Sequence, residues 1–367
     1  MLNNRLDGMG WFAYQTLKRI TQNNKDVHFV FLFDRPFDEQ FIFSENITPI
    51  VLSPQARHPF LYYVWFEFSV KQILNKLQPD LFLSPDGFLS LGAKCKQLPV
   101  IHDINFHHYP NDSKWLTAKY YNYFFPRYAK KATRIATVSE FSKSEISLNY
   151  QISPVSIDVV YNGIHSFFKP INDNVKQITK EKYTKGNDYF LSVGSLHPRK
   201  NTVNLIKAFA EFKLQSKSSL KLVLAGPKFW GQDEVKHAIE KFSLSNDIVF
   251  TGRLEDDELA KVLGSALALT FVPYYEGFGI PLVEAMEANV PIITSNVTSL
   301  PEVAGDAALL VNPLDIEQIK NAMMELYLNV ELRNQLVEKG KIQKQKFSWD
   351  KSADLLWESC LKTIKGN

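Results

Sequence analysis

The sequence has 367 residues, 45% of them apolar and 22% charged, a globular composition long enough for two or three domains. A formal net charge of +3 is too balanced to point to nucleic acid, and two cysteines, Cys95 and Cys360, can build neither a disulfide framework nor a zinc finger, so a reducing compartment is expected. No Arg/Lys-then-apolar leader opens the sequence and no uncharged run of about 18 apolar residues occurs, which argues against signal-directed secretion and a spanning helix.

Only polar-rich residues precede Gly8 and Gly10, and a helix is expected at once over Met9–Ile20. A doubly wound sheet normally opens with a strand whose following turn faces the ligand. That first strand is missing ahead of Gly8, which points to a start further upstream or to a shortened relative. Strands are then expected at Val27–Phe33, Leu81–Ser84, Pro99–His102, Arg134–Val138 and Ile157–Val160, and helices at Phe60–Leu77, Ser113–Ala132 and Glu140–Tyr150. Segment 161–186 has no clear period and carries Asn162-Gly163 and Lys169-Pro170, so it reads as a hinge linker.

The second half is more regular. Short apolar runs at Tyr189–Gly194, Lys221–Gly226, Asp247–Phe250, Leu267–Val272, Pro291–Thr294 and Ala308–Val311 alternate with amphipathic stretches at Asn201–Gln215, Asp233–Phe242, Asp256–Leu263, Pro281–Ala288 and Ser299–Ala304. Three helical segments close the chain, at Ile316–Leu328, Glu331–Lys346 and Trp349–Ile364. Continuous apolar strands between helices predict parallel strands buried on both faces. The fold class is therefore α/β, with domains at 1–165 and 166–348 and a last helix, 349–367, packing back toward the first domain.

Three segments carry candidate chemistry. PYYEGFGIPLVEAM, residues 273–286, follows an apolar strand and enters a helix. Gly277 and Gly279 permit close backbone approach, Pro281 suits a first helical turn, and a helix start attracts phosphate. Glu276 and Glu284 are carboxylates of the kind that accept two hydrogen bonds from a vicinal diol. SVGSLHPRKN, residues 192–201, puts Arg199 and Lys200 beyond a strand's carboxyl end, where two cations suit a diphosphate. VIHDINFHHYP, residues 100–110, ends a buried strand in His102 and Asp103. His102, His107 and His108 match no recognised metal-ligand spacing, and His107 and His108 read as structural. The acidic run Glu255–Glu258 reads as the favourable start of a helix, and Thr251-Gly252-Arg253 just before it lies at the same sheet edge, within reach of a nucleobase.

In this order the segments RLDGMGWFAY, HDINFHHYP, TVSEFS, VVYNGI, VGSLHPRKN, LAGP, FTGR, EGFGIPLVEAM and SLPEVAGDAALLV resemble the group 1 glycosyltransferases, family 4, and HDINFHHYP resembles their mannosyltransferase-like branch. The resemblance covers nearly the whole chain. It departs at the start, at Trp11 and Phe12, where relatives often carry a basic residue and Tyr, and at His165, where an acidic residue is common.

The resemblance implies two Rossmann-like domains facing a cleft, the B-type glycosyltransferase fold. It implies retaining transfer of a sugar, mannose-like, from a nucleotide-sugar donor, with no cofactor and no metal. Arg199, Lys200 and the helix start at Phe278–Ile280 would stabilise the leaving diphosphate. Glu284 would grip the ribose, Glu276 the donor sugar, and His102 the same sugar from the other domain, with Asp103 helping to orient it. Gly8 and Gly10 would form a loop near the diphosphate, and Gly194 and Arg253 would complete the donor site.

The acceptor would be a glycan or a lipid-linked glycan in surface polysaccharide synthesis. Trp115–Lys131 (WLTAKYYNYFFPRYAKK) mixes aromatics with Lys119, Arg127, Lys130 and Lys131, and Tyr62–Phe68 (YYVWFEF) is similarly aromatic. Such a mixture suits an anionic membrane surface or a lipid-diphosphate acceptor, while a buried helix with snorkelling lysines is the alternative. The location expected is cytoplasmic, with peripheral contact on the inner face of a membrane and no nucleic-acid partner. Two other functions stay open: a sugar-nucleotide epimerase on the same fold, and a non-catalytic or truncated nucleotide-sugar binder.

Overall fold

A computed structural model describes residues 6–227 and 233–366. The chain forms two compact units, Met1–Gly163 together with Phe347–Asn367, and Ile164–Lys346. The crossings fall two residues ahead of the boundaries read from the sequence, after Gly163 rather than 165 and after Lys346 rather than 348.

The first unit carries strands β1 (Phe29–Phe33), β2 (Ile47–Val51), β3 (Phe82–Ser84), β4 (Gln97–Pro99), β5 (Ile135–Thr137) and β6 (Ile157–Val159). All pairings are parallel. β1 pairs with β2, β3 with β4 and β5 with β6, and a bridge between Val100 and Ala136 joins β4 to β5. Among the described residues no ladder joins β1 to β3. The expectation of a missing first strand falls on Met1–Arg5, which lie outside the described residues.

β2 was not legible as a strand, because Pro49 interrupts it and three of its five residues are exposed. Among the described residues it pairs only with β1 and forms an edge, where a missing N–H is tolerated. The strand expected at Pro99–His102 is shifted: the ladder runs over Gln97–Pro99 and fades after Val100, so His102 stands beyond it.

Aromatic residues make up 13% of the sequence, and many of them cluster in this unit. Phe66 stacks on Phe88 at 5.2 Å, and Tyr62, Tyr120, Tyr121, Phe125 and Tyr128 surround Phe88. Tyr120 and Tyr128 satisfy each other's buried hydroxyls at 2.8 Å. The last helix, Trp349–Lys365, belongs to this unit, where Arg19 pairs with Asp350 at 2.5 Å and Ser352 Oγ donates to the Tyr161 carbonyl at 2.5 Å. A Cβ on Gly163 would lie 2.3 Å from the Trp349 backbone nitrogen, so the Asn-Gly taken as a linker signal is a site of close helix approach.

The second unit holds a six-stranded parallel sheet in the order β12-β11-β10-β7-β8-β9. The strands are β7 (Tyr189–Val193), β8 (Lys221–Ala225), β9 (Ile248–Gly252), β10 (Ala268–Phe271), β11 (Ile292–Ser295) and β12 (Ala308–Val311). β7, β8, β10 and β11 are largely or wholly buried, as their unbroken apolar runs predict. One correction concerns segment 161–186, read as a hinge linker without a clear period: it contains helix Asp173–Thr184, capped by Asn172 onto the Val175 N–H. Its buried positions are Thr179 and Thr184 rather than aliphatic residues, which hides its period. Among the described residues no helix is long and apolar enough to cross a membrane.

Candidate active site

In a parallel sheet all strand ends of one kind share an edge, and ligands bind at the carboxyl edge where the strand order reverses. In the second unit the reversal lies between β7 and β10: from β7 the chain moves to β8 on one side and returns to β10 on the other. The two turns flanking that point are the one after β7, which carries Arg199 and Lys200, and the one after β10, which carries Glu276. The sequence placed candidates in both.

The structure brings these three side chains together. Arg199 Nη1 donates to Glu276 Oε1 at 2.5 Å and to the Tyr275 carbonyl at 3.1 Å, and the Lys200 ammonium reaches the same Oε1. Burial alone would raise the Glu276 pKa, but Arg199 and Lys200 outweigh it and hold the carboxyl below its ordinary value. The cluster is an ionised carboxylate between two cations. Backbone contacts fix the two turns to each other, since the Tyr274 N–H donates to the Arg199 carbonyl at 2.8 Å.

Glycines allow this crowding. Gly194 lies against Lys200, and Gly226 approaches Gly194 so closely that a Cβ would sit 2.0 Å from the Gly194 carbonyl oxygen. Gly279 adopts φ +102° at the start of helix Ile280–Glu287, and a Cβ there would lie 2.7 Å from Leu300. The loop Gly277-Phe278-Gly279 thus delivers the Ile280 helix start to the edge that holds Glu276.

Glu284 lies one turn into that helix and is 9% exposed. Burial, followed by the like charge of Asp256, pushes its pKa up to about 8. Asp256 is itself raised, first by desolvation and then by Glu255, and Arg253 opposes that rise. Arg253 just past β9 therefore acts on Asp256, the first residue of helix Asp256–Gly264, and Asp256 in turn acts on Glu284.

In the first unit the structure gathers His102 with the opening helix Gly8–Asn23. The ring of His102 meets Phe12 edge-on at 5.1 Å, and its Nε2 lies 3.0 Å from the Pro85 carbonyl. A ring nitrogen meets a carbonyl only as a donor, so Nε2 carries the proton and Nδ1 of the neutral ring is left as an acceptor. Desolvation lowers the His102 pKa against the opposing pull of the Pro85 carbonyl, Asp103, Asp86 and Asp7. Asp103, expected to help orient His102, accepts the Asn105 N–H through Oδ1 at 3.0 Å and acts on His102 through its charge. Gly8 and Gly10 were expected in a loop; they form the first helical turn, with the Gly10 N–H capped by Asp7 Oδ1 at 2.9 Å. His108 pairs with Glu145, and His107 Nδ1 lies 3.3 Å from Asn122 Oδ1. Among the described residues no cluster of three His, Cys, Asp or Glu is arranged to hold a metal.

Two positioning residues escaped the sequence reading. Asn201, 1% exposed, donates through Nδ2 to the carbonyls of Val272 at 2.9 Å and Pro313 at 2.6 Å. Ser299 Oγ lies 2.9 Å from the Glu276 carbonyl and 3.0 Å from that of Phe278, so its hydroxyl bridges the Gly-rich loop. The available signal was a small polar residue at each helix start facing that edge. Asp256 was read only as part of a helix start, and its neighbour Glu258 is held by Lys182 and Tyr183.

Residues 174–343 match the family model of glycosyl transferases group 1, and residues 6–166 match that of glycosyltransferase family 4. The chain is 28% identical over 356 residues to the O-antigen chain mannosyltransferase B of Escherichia coli, covering 94% of this chain and 93% of that one. It is 30% identical over 291 residues to an uncharacterized glycosyltransferase of Methanocaldococcus jannaschii, covering 77% and 75%. Among solved structures, Anabaena HepE in complex with UDP and glucose superposes with a TM-score of 0.75 at 16% identity, covering 98% and 97%, a likeness of fold. With both units matched and a catalogue of turns at the sheet edge that fits the pattern, the chain belongs to the group 1 glycosyltransferases, with an amino-terminal half of family 4.

Proposed function

We propose that this glycosyltransferase moves a mannose-like hexose from a nucleoside diphosphate to a glycan or lipid-linked acceptor in surface polysaccharide synthesis, with retention and without a bound metal. The observation that carries the reading is the Arg199–Lys200–Glu276 cluster at the switch point of the second unit's sheet. Its two cations suit a diphosphate, and charge developing on the leaving oxygen is what such preorganised donors stabilise. The mannose-like donor rests on the name of the Escherichia coli relative.

In the step we propose, the acceptor hydroxyl attacks the anomeric carbon on the face from which the diphosphate departs. The bond between that carbon and the phosphate oxygen breaks with its electron pair going to the diphosphate, and the hydroxyl proton passes to the same oxygen. Arg199 and Lys200 take up the developing charge. Glu276 is assigned to the sugar hydroxyls, Glu284 to the ribose, and Gly194, Arg253 and Gly277–Ile280 to the remaining donor contacts. His102 is assigned to a sugar hydroxyl, with Nδ1 as the acceptor.

The test is incubation of the purified chain with a panel of nucleotide sugars and acceptor glycans, read by mass spectrometry, with the product anomer identified by NMR. Transfer with the donor's own anomeric configuration is expected. Donor turnover without acceptor would replace this reading with an epimerase, and tight donor binding with no turnover on any acceptor would replace it with a binder.

A further inference from the structure

Helix Trp115–Lys131 of the first unit turns an aromatic and basic face to solvent. At 100° per residue, Trp115, Lys119, Lys130, Tyr123, Leu116 and Arg127 fall within an arc of about 120°. All six are exposed, Trp115 by 68% and Tyr123 by 53%, while Ala118, Phe125, Tyr128 and Ala129 on the other side are buried. The exposed aromatics carry cations: Lys119 Nζ lies 4.1 Å from the Trp115 ring centroid and the Arg127 guanidinium 3.5 Å from that of Tyr123. No Asp or Glu occurs in the helix.

The face continues onto the neighbouring helical turns Pro59–Val64 and Trp65–Val70. Phe68 meets Tyr63 at 6.0 Å, Tyr63 meets Phe124 at 5.8 Å, and Phe124 meets Tyr123 at 4.9 Å. Phe60, Tyr63 and Phe68 are exposed. Exposed aromatics gathered in this way mark an interaction surface. Rings with polar tips, interleaved with cations, suit the headgroup level of a bilayer. A second copy through a two-fold axis would set these cations against themselves.

We propose that this face docks the chain on an anionic lipid bilayer, with Trp115, Tyr123, Phe60 and Phe68 at the headgroup level and Lys119, Arg127 and Lys130 against lipid phosphates. The proposal does not depend on the transfer reaction. Each cation near such a surface contributes on the order of fivefold in partitioning, and salt screens it.

The test is flotation of the full chain with vesicles of phosphatidylcholine alone or with about one third phosphatidylglycerol, in about 0.05 and about 0.5 M salt. Binding to the anionic vesicles that weakens in salt is expected. Lys119→Glu with Arg127→Glu, and separately Trp115→Ser with Tyr123→Ser, should each lower it at least tenfold, leaving the thermal midpoint and nucleoside diphosphate affinity unchanged. Equal binding to both vesicles, no binding, or wild-type binding by either double variant overturns the proposal. So does a wild-type dimer in sedimentation velocity that the same variants split, which would assign the face to a second copy.

Discussion

Arg199 and Glu276, 77 positions apart in the chain, meet at 2.5 Å through Glu276 Oε1, the same oxygen that Lys200 reaches. The carboxylate therefore keeps two neighbouring cations compatible. Removing one partner of a largely buried ionic cluster costs roughly 3–5 kcal/mol, because the remaining charges are left uncompensated. Glu276→Gln should therefore lower the thermal midpoint and abolish most turnover. A diphosphate would restore the lost negative charge, so the nucleoside diphosphate should raise the midpoint of the variant more than that of the native protein. Equal shifts in both would separate the cluster from the diphosphate site.

Lys200 and Arg199 are proposed to do at the leaving group what a divalent ion does elsewhere. Transfer rates should be unchanged in EDTA. Lys200→Ala should weaken nucleoside diphosphate binding by tenfold or more, since a hydrogen bond to a charged group contributes roughly 1.5–3 kcal/mol. Turnover lost on chelation and regained with magnesium or manganese would remove the two cations from this role.

The carboxyl half was legible because β7, β8, β10 and β11 are apolar on both faces and the glycines mark where turns crowd. Arg199, Lys200 and Glu276 could be named because each stands just past such a run. What escaped has a physical reason. Helix Asp173–Thr184 buries threonines, and β2 carries Pro49 and an exposed face. Gly8 and Gly10 look like a loop until the Asp7 cap turns them into a helix start. Asn201 and Ser299 act on backbone carbonyls remote in sequence, which no local pattern records. Nor does spacing reveal that Asp256 faces Glu284 closely enough to shift it.

That shift has a pH signature. Glu284 has a folded pKa of about 8 against an ordinary 4.5. Between those values the unfolded chain ionises this carboxyl while the folded chain keeps it protonated. Its contribution to stability is therefore full below the ordinary value and is lost as pH rises to about 8, at up to about 1.4 kcal/mol per pH unit. Glu284→Gln stays neutral and should lose less stability over this window. Urea titrations of both proteins across it should diverge with rising pH; parallel curves would mean that Glu284 is ionised in the fold. The same variant should bind nucleoside diphosphate at least tenfold more weakly if the ribose takes Glu284 as a carboxylate.

Asn201 offers a test of positioning as opposed to contact. It follows Lys200 directly, adopts φ +61°, and ties β10's end and Pro313 to the turn that bears both cations. Asn201→Gly keeps the left-handed backbone but leaves two carbonyls without this donor. A cost of roughly 1–3 kcal/mol in stability is expected. Asn201→Ala should cost about 1 kcal/mol more, because a Cβ disfavours this conformation. Asn201→Asp puts an oxygen where Nδ2 donates and should be the least stable of the three. If the side chain orients the cations, nucleoside diphosphate affinity should fall by a similar factor in the Gly and Ala variants, although Arg199 and Lys200 are unaltered and the two differ in stability. Titrations well below both midpoints separate the quantities. Native affinity in a destabilised Asn201→Gly protein would confine the residue to a structural role.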